Sequence, residues 1–238
     1  MKACGPAFRG VPGGVRIFQR MYTRLGCLGR PPQFQVEFHS YANLTHTIRL
    51  REDTAHVRLS DLLRAAPLAV LEAAAAILLA RLYRRQVPRE TVEIYQDFAY
   101  AGATRRRLLR VRRERGRRVK DHPTGSFHDL DALFAELNRR YFSGGLQRPR
   151  LAWSARGWRA QLGCFDPALS QIVINRQLDR AEVPGFVVGY VLYHEMLHLK
   201  HPMRVEHCRL KSHSPQFRRE EKRFAHYDKA QRFLKRFV

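Results

Sequence analysis

His194, Glu195 and His198, within "YVLYHEMLHLKHP" (Tyr190 to Pro202), are three ionisable side chains set in an otherwise apolar run. Histidines four apart on a helix project from one face, so they can share one ion at the ~2.0–2.1 Å that ring nitrogens keep from zinc. Glu195, one position along, faces aside from that axis and can take a proton from an activated water instead of ligating. Phe186, Val187, Val188, Val191, Leu192, Met196, Leu197 and Leu199 surround the trio, which marks a helix buried all round. Unpaired charge in such a place is costly, and coordination to a cation removes the cost. The bland alternative is a pair of core histidines satisfied by backbone or carboxylate partners. With eleven histidines and twelve glutamates in the chain, random placement supplies roughly 0.025 copies of H-E-x-x-H, and the metal reading is the stronger one.

A catalytic zinc takes three protein ligands and leaves a position for water. His201, Glu206, His207, His213, Glu220 and Glu221 are the candidates for the third. The metzincin extension needs glycine and histidine at positions 201 and 204, where this chain has His201 and Arg204, so that pattern is excluded. His213 opens "HSPQFRREEKRF", in which Ser214 is a natural N-cap, Pro215 a first-turn residue, and Phe217 and Phe224 anchors for a new helix. A ligand at such a helix start is well fixed. A gluzincin-like site would draw instead on Glu220 or Glu221.

The elements that must position these residues follow from periodicity. "FHDLDALFAELNRRYFSGG" places Leu130, Leu133, Phe134, Leu137, Tyr141 and Phe142 at helical spacing, with Gly144 and Gly145 as the stop. "RLAWSAR", "AQLGCFD" and "QIVINR" read as short strands of a small, mostly antiparallel sheet, and Pro184 opens the helix that carries His194. Upstream, "FQVEF", "TIRLR" and "HVRLS" alternate as strands, Ser60 caps a short helix, and a long apolar helix follows Pro67. A further helix is expected from Pro88 through Val92, Tyr95 and Phe98 into "TRRRLLRVRRERGRRVK". The organisation expected is a loosely held leader over residues 1–31, an α+β region over 32–120, a linker over 121–126, and a catalytic domain over 127–238.

The chain has 238 residues, a hydrophobic fraction of 45% and a formal charge of +23. Its size and apolar content suit a folded protein with a real core. The apolar run Ala65 to Ala80 carries Glu72 and falls short of the ~18–20 residues of a spanning helix, so no membrane partner is expected. The first thirty residues hold no apolar h-region, and the expected location is the cytoplasm, with nucleoid association as a variant. A mitochondrial transit peptide and a start at Met21 are the lesser readings. Cys4, Cys27, Cys164 and Cys208 are scattered without a C-x-x-C pair, which excludes a cysteine zinc ribbon and a disulfide framework. The excess charge points to DNA or RNA, and its densest run is Ala101 to Lys120, where ten of twenty residues are basic and only Glu114 is acidic. Arg105, Arg106, Arg107, Arg110, Arg112 and Arg113 are its candidate phosphate contacts, against the plainer reading of a solvated helix end.

The segment from Phe127 to about Tyr227 resembles the SprT-like family of zinc metallopeptidases. "LDALFAELNRRYF", "LGCFDP", "IVIN", "YVLYHEMLHLKH" and "HSPQFR" occur in the order that the family shows, over nearly half of the chain. The resemblance implies a zincin-like fold in which His194, His198 and His213 hold one zinc ion and Glu195 is the catalytic base. It also implies a protein or peptide substrate that pairs with "QLGCFDP" or "QIVINR" beside the active-site helix. Relatives include proteases that degrade proteins crosslinked to DNA. The segment departs from the family in two respects: no cysteine zinc ribbon follows His213, and Ser214 stands where glycine is usual. The function expected is therefore a zinc-dependent endopeptidase, and its rival is a basic nucleic-acid-binding protein with a purely structural zinc.

Overall fold

Phe34, Val36, Ala55, Val57 and Leu59 are buried and alternate with polar neighbours, and this period of two builds the first sheet of the computed structural model. The structure describes residues 13–201, 204–206, 209–211 and 213–237. They fall into two compact units, one ending at Gly116 and the next beginning at Arg117.

In the first unit, strand β1 (Gln33–His39) pairs in parallel with β3 (Thr54–Ser60), and β2 (Thr47–Arg51) pairs with β3 in antiparallel fashion, giving the order β1-β3-β2. Helices α1 (Gly14–Arg24) and α2 (Leu68–Tyr83) contribute Ile17, Phe18, Met21, Tyr22, Ala75 and Leu79 to the core on the sheet's apolar face. The expectation of a loose leader is thus corrected for residues 14–24. Ile17, Phe18, Met21 and Tyr22 share one helical face and all four are buried, which outweighs the glycines and arginines around them. The leader's first twelve residues lie outside the described ones. Ser60 accepts from the Leu62 N–H and starts a short 3-10 turn (Asp61–Leu63), after which Pro67 precedes α2.

The single helix expected beyond Pro88 is two: α3 (Arg89–Tyr100) and α4 (Gly102–Arg115). Ala101 between them is extended, with φ −54° and ψ 139°, so the helical hydrogen-bond ladder stops and restarts there.

The second unit begins before the expected boundary, and residues 121–126 belong to it rather than linking anything. Asp121 accepts the Leu151 N–H at 2.9 Å, His122 bridges to Ala152, and the Trp153 indole donates to the Pro123 carbonyl at 3.0 Å. Asp129 accepts from the Asp131 and Ala132 N–H groups at the start of α5 (Leu130–Phe142), whose Leu130, Phe134 and Leu137 are buried.

The second sheet is mixed, which corrects the expectation of a mostly antiparallel one. Strands β5 (Gly163–Asp166) and β6 (Gln171–Ile174) form an antiparallel hairpin, and β4 (Arg150–Trp153) lies parallel to β6 on its other edge. The chain from Trp153 to Gly163 therefore crosses from one edge of β6 to the other. Buried Asn175 holds that crossover, accepting from the Trp158 N–H and donating to the carbonyls of Trp158 and Gln161. Helix α6 (Gly185–Lys200) packs between this sheet, α5 and the C-terminal helices α7 (Pro215–Glu221) and α8 (Tyr227–Phe237). A two-stranded ribbon of β7 (Arg204–Glu206) and β8 (Arg209–Lys211) separates α6 from α7 along the chain.

The described residues thus form an α+β protein with eight α-helices and two small mixed sheets. None of these helices is long and apolar enough to cross a membrane.

Candidate metal centre

Helix α6 is apolar on nearly every side, and Val187, Val188, Leu192, Met196 and Leu197 are fully buried. Each such side chain contributes on the order of 1.5–3 kcal/mol through removal from water, enough to fix the helix against the sheet. His194 and His198 project from its last two turns with ring centroids 5.0 Å apart.

The third ring comes from His213, just ahead of α7. Ser214 caps that helix by accepting the Phe217 N–H at 3.1 Å, and Pro215 occupies its first turn. The cap holds His213 in place: its Nε2 lies 3.3 Å from Nε2 of His194 and 3.3 Å from Nε2 of His198. Fully buried Phe217 forms the floor, its ring 4.7 to 5.2 Å from all three imidazoles. Among the described residues, this is the group of histidine, cysteine or carboxylate side chains whose ligand atoms converge for a metal ion.

The other proposed third ligands are elsewhere. Glu221 accepts from His194 Nδ1 at 2.7 Å and from the Tyr190 hydroxyl at 2.8 Å, while Gln231 of α8 donates to the Tyr190 oxygen at 2.6 Å. Glu220 pairs with Lys200 at 2.7 Å and lies 3.2 Å from His201 Nε2. His207 lies outside the described residues, as do Cys4 and Cys208, and the Glu206 side chain is not among those described. Cys27 and Cys164 are half-buried and stand outside any disulfide among the described residues.

These partners assign protons. Glu221 holds the hydrogen on His194 Nδ1, so His194 Nε2 turns a lone pair toward the other two rings. Burial works to raise the Glu221 carboxyl, but the hydrogen bonds from His194 and Tyr190 outweigh it and leave it below the usual range. Burial, followed by the neighbouring imidazoles, pulls His198 down to about 4 and lowers His213 as well. Burial also pushes the Tyr190 and Tyr193 hydroxyls upward. The lowering at His198 and His213 favours their neutral imidazoles, the form that can donate a lone pair to a metal. The donor set suits zinc: ligand nitrogens around a tetrahedral ion stand ~3.3 Å apart when each bond is ~2.0–2.1 Å, and the two separations from His213 Nε2, 3.3 Å each, agree.

Glu195 lies on the side of α6 that faces β5 and is buried. Burial raises its carboxyl to about 7, against the lowering effects of His194 and of the hydrogen bond from the Phe165 N–H. β5 comes this close only because residue 163 is glycine: a Cβ there would fall 2.7 Å from Glu195 Oε1. β5 is an edge of its sheet and β6 is central, so of the two segments expected to meet a substrate only "QLGCFDP" has a backbone edge to offer.

The arginine run divides into two groups. Arg112 donates to Asn43 at 3.0 Å and Arg115 grips Asp61 at 2.8 and 3.0 Å, both inside the first unit. Arg105 and Arg112 are half-buried, whereas Arg106, Arg107, Arg110 and Arg113 are exposed. Arg106, Arg107 and Arg110 border one shallow groove of about 250 Å³.

Phe217, Glu221, Tyr190 and Gln231 were not assigned these roles from the sequence. The usable signal was the capped helix itself, since a start at Ser214 sets Phe217 and Glu221 four apart on one face. Compared with protein-family models, with curated proteins and with solved structures, the chain matches none.

Proposed function

We propose that the second unit is a zinc-dependent endopeptidase with a zincin-like site of the SprT-like kind. The observation that carries this reading is the convergence of three imidazole nitrogens at the helix whose buried Glu195 carboxylate lies against the edge strand β5. His194, His198 and His213 would hold the ion. When bound there, zinc would supply Lewis acidity, making a water acidic near neutral pH and polarising the scissile carbonyl. The protein's own part is positional and acid–base. The edge of β5 pairs with an extended peptide through backbone hydrogen bonds and brings the scissile bond alongside Glu195. Glu195, with its carboxyl near 7, accepts the proton of the attacking water and returns it to the departing amine.

The test is metal analysis paired with cleavage of an unfolded protein substrate by wild type and Glu195→Gln. One tightly held zinc in both, with cleavage only in wild type, supports the proposal; equal cleavage with zinc retained would refute it.

A second reading, contact with DNA or RNA through α4, is favoured by the grouping of Arg106, Arg107 and Arg110 at one groove. Neutralising all three should weaken nucleic-acid binding and flatten its salt dependence. Binding that ignores both salt and the triple variant rules it out.

A further inference from the structure

Helix α8 carries a surface that the metal centre does not use. Lys229, Arg232, Phe233, Arg236 and Phe237 recur at helical spacing along one side of it, and with Phe186 of α6 they border a groove of about 470 Å³. Phe233 and Phe237 lie 6.0 Å apart with their planes 26° from parallel, so they form a continuous floor rather than two isolated rings. All three phenylalanines are half-buried, whereas Lys229, Arg232 and Arg236 are exposed. No ion pair neutralises these three cations among the described residues, and Asp228 is the only acidic residue of the helix.

The groove combines two recognition elements. Aromatic faces at its base accept flat, apolar ring systems, and cations at its rim accept anionic groups. A ligand that matches both must repeat flat rings and negative charges along its length. We propose that this groove binds single-stranded nucleic acid, with bases stacked on the phenylalanine floor and phosphates against Lys229, Arg232 and Arg236. Unpaired bases present their faces, and base–aromatic stacking contributes about 1–3 kcal/mol per base. A duplex keeps those faces occupied by its own stacking and is the weaker ligand. A bilayer surface fits less well, because an interfacial helix needs apolar side chains that project, and here the rings are sunk between α6 and α8. Phe186 stands eight residues before His194 on α6, so at ~1.5 Å per residue the groove lies ~12 Å along that helix from the histidine cluster. The site is independent of the peptidase reading and holds whether or not the cluster turns over.

The experiment uses the full chain and a fluorescein-labelled 20-nucleotide oligothymidine, with anisotropy read at several salt concentrations. Arg232→Ala with Arg236→Ala should weaken binding about tenfold or more and reduce the salt slope by about 1.4, the value for two lost phosphate contacts on a single strand. Phe233→Ala should weaken it about fivefold or more through lost stacking, and Phe233→Tyr should restore it. The Arg106, Arg107 and Arg110 triple alanine variant, in the other unit, reports separately on α4. Wild-type affinity in the exposed arginine pair variant overturns the proposal, and that variant keeps the test decisive if Phe233→Ala fails to fold. So do equal affinity for a duplex of the same length with no effect of Phe233→Ala, and binding to phosphatidylglycerol vesicles without binding to the oligonucleotide.

Discussion

Two kinds of histidine environment occupy the two units, and the partners of the ring nitrogens separate them. In the first unit, His46 Nδ1 accepts the Ser60 N–H at 3.0 Å, and its Nε2 lies 2.7 Å from the Tyr95 hydroxyl, so the ring ties the approach to β2 to the end of β3 and to α3. Both nitrogens have ordinary protein partners. In the second unit, the Nε2 atoms of His194, His198 and His213 face one another instead. Burial alone lowers His46 to about 4, and burial with like neighbours takes His198 to about the same value. The depressed pKa does not distinguish the two. What distinguishes them is whether the lone pairs already have a donor.

The comparison breaks most directly at His213. His213→Ala should abolish stoichiometric zinc, measured by metal analysis after dialysis, whereas His46→Ala should leave it unchanged; equal zinc in all three proteins would place the ion elsewhere. Glu195→Gln should keep zinc and lower peptide cleavage by about 10²–10⁴-fold, the usual contribution of a positioned acid–base group.

His46 supplies the pH arm. Its folded pKa of about 4 lies below the unfolded 6.5, so the unfolded chain binds more protons between these values. Its contribution is complete above about 6.5 and is lost as pH falls toward about 4, which amounts to about 3 kcal/mol across the window. Denaturant unfolding of wild type and His46→Asn over that range should show the slope flattened in the variant; an unchanged slope would remove His46 as its source. The smallest effect is expected at Glu221→Gln, which should weaken zinc by about 10–100-fold in a competition titration, as loss of a carboxylate behind a ligating imidazole does. Unchanged affinity would make Glu221 a packing residue only.

Much of the second unit was legible because local rules governed it. The four-residue spacing of His194 and His198, the cap at Ser214 and the apolar stripe of α5 are each set within a dozen residues and appear as expected. The parallel pairing of β4 with β6 was not legible, since it depends on where a nine-residue crossover returns, and Asn175 fixes that from outside the crossover. The roles of Glu220 and Glu221 were hidden for a similar reason: both are near in sequence to His213, and only the packing of α7 on α6 decides which carboxylate meets His194 Nδ1 and which meets Lys200. In the first unit, the helical face of Ile17, Phe18, Met21 and Tyr22 was present in the sequence but obscured by flanking glycine and arginine. The arginine run gave the reverse lesson. Its composition suggested one uniform strip, and the fold uses Arg112 and Arg115 to anchor the helix while leaving Arg106, Arg107 and Arg110 facing outward.

Gly163 is a position from which the Glu195 carboxylate can be moved without replacing any ionisable residue. A single methyl at that position meets the Glu195 carboxylate at 2.7 Å and its Cγ at 2.9 Å, so either β5 or the carboxylate must give way. Gly163→Ala would leave His194, His198 and His213 in place while displacing the Glu195 carboxylate from the strand edge. Under the proposed peptidase function, the variant would hold a peptide without cutting it while keeping its metal ligands, its charge and its titratable groups.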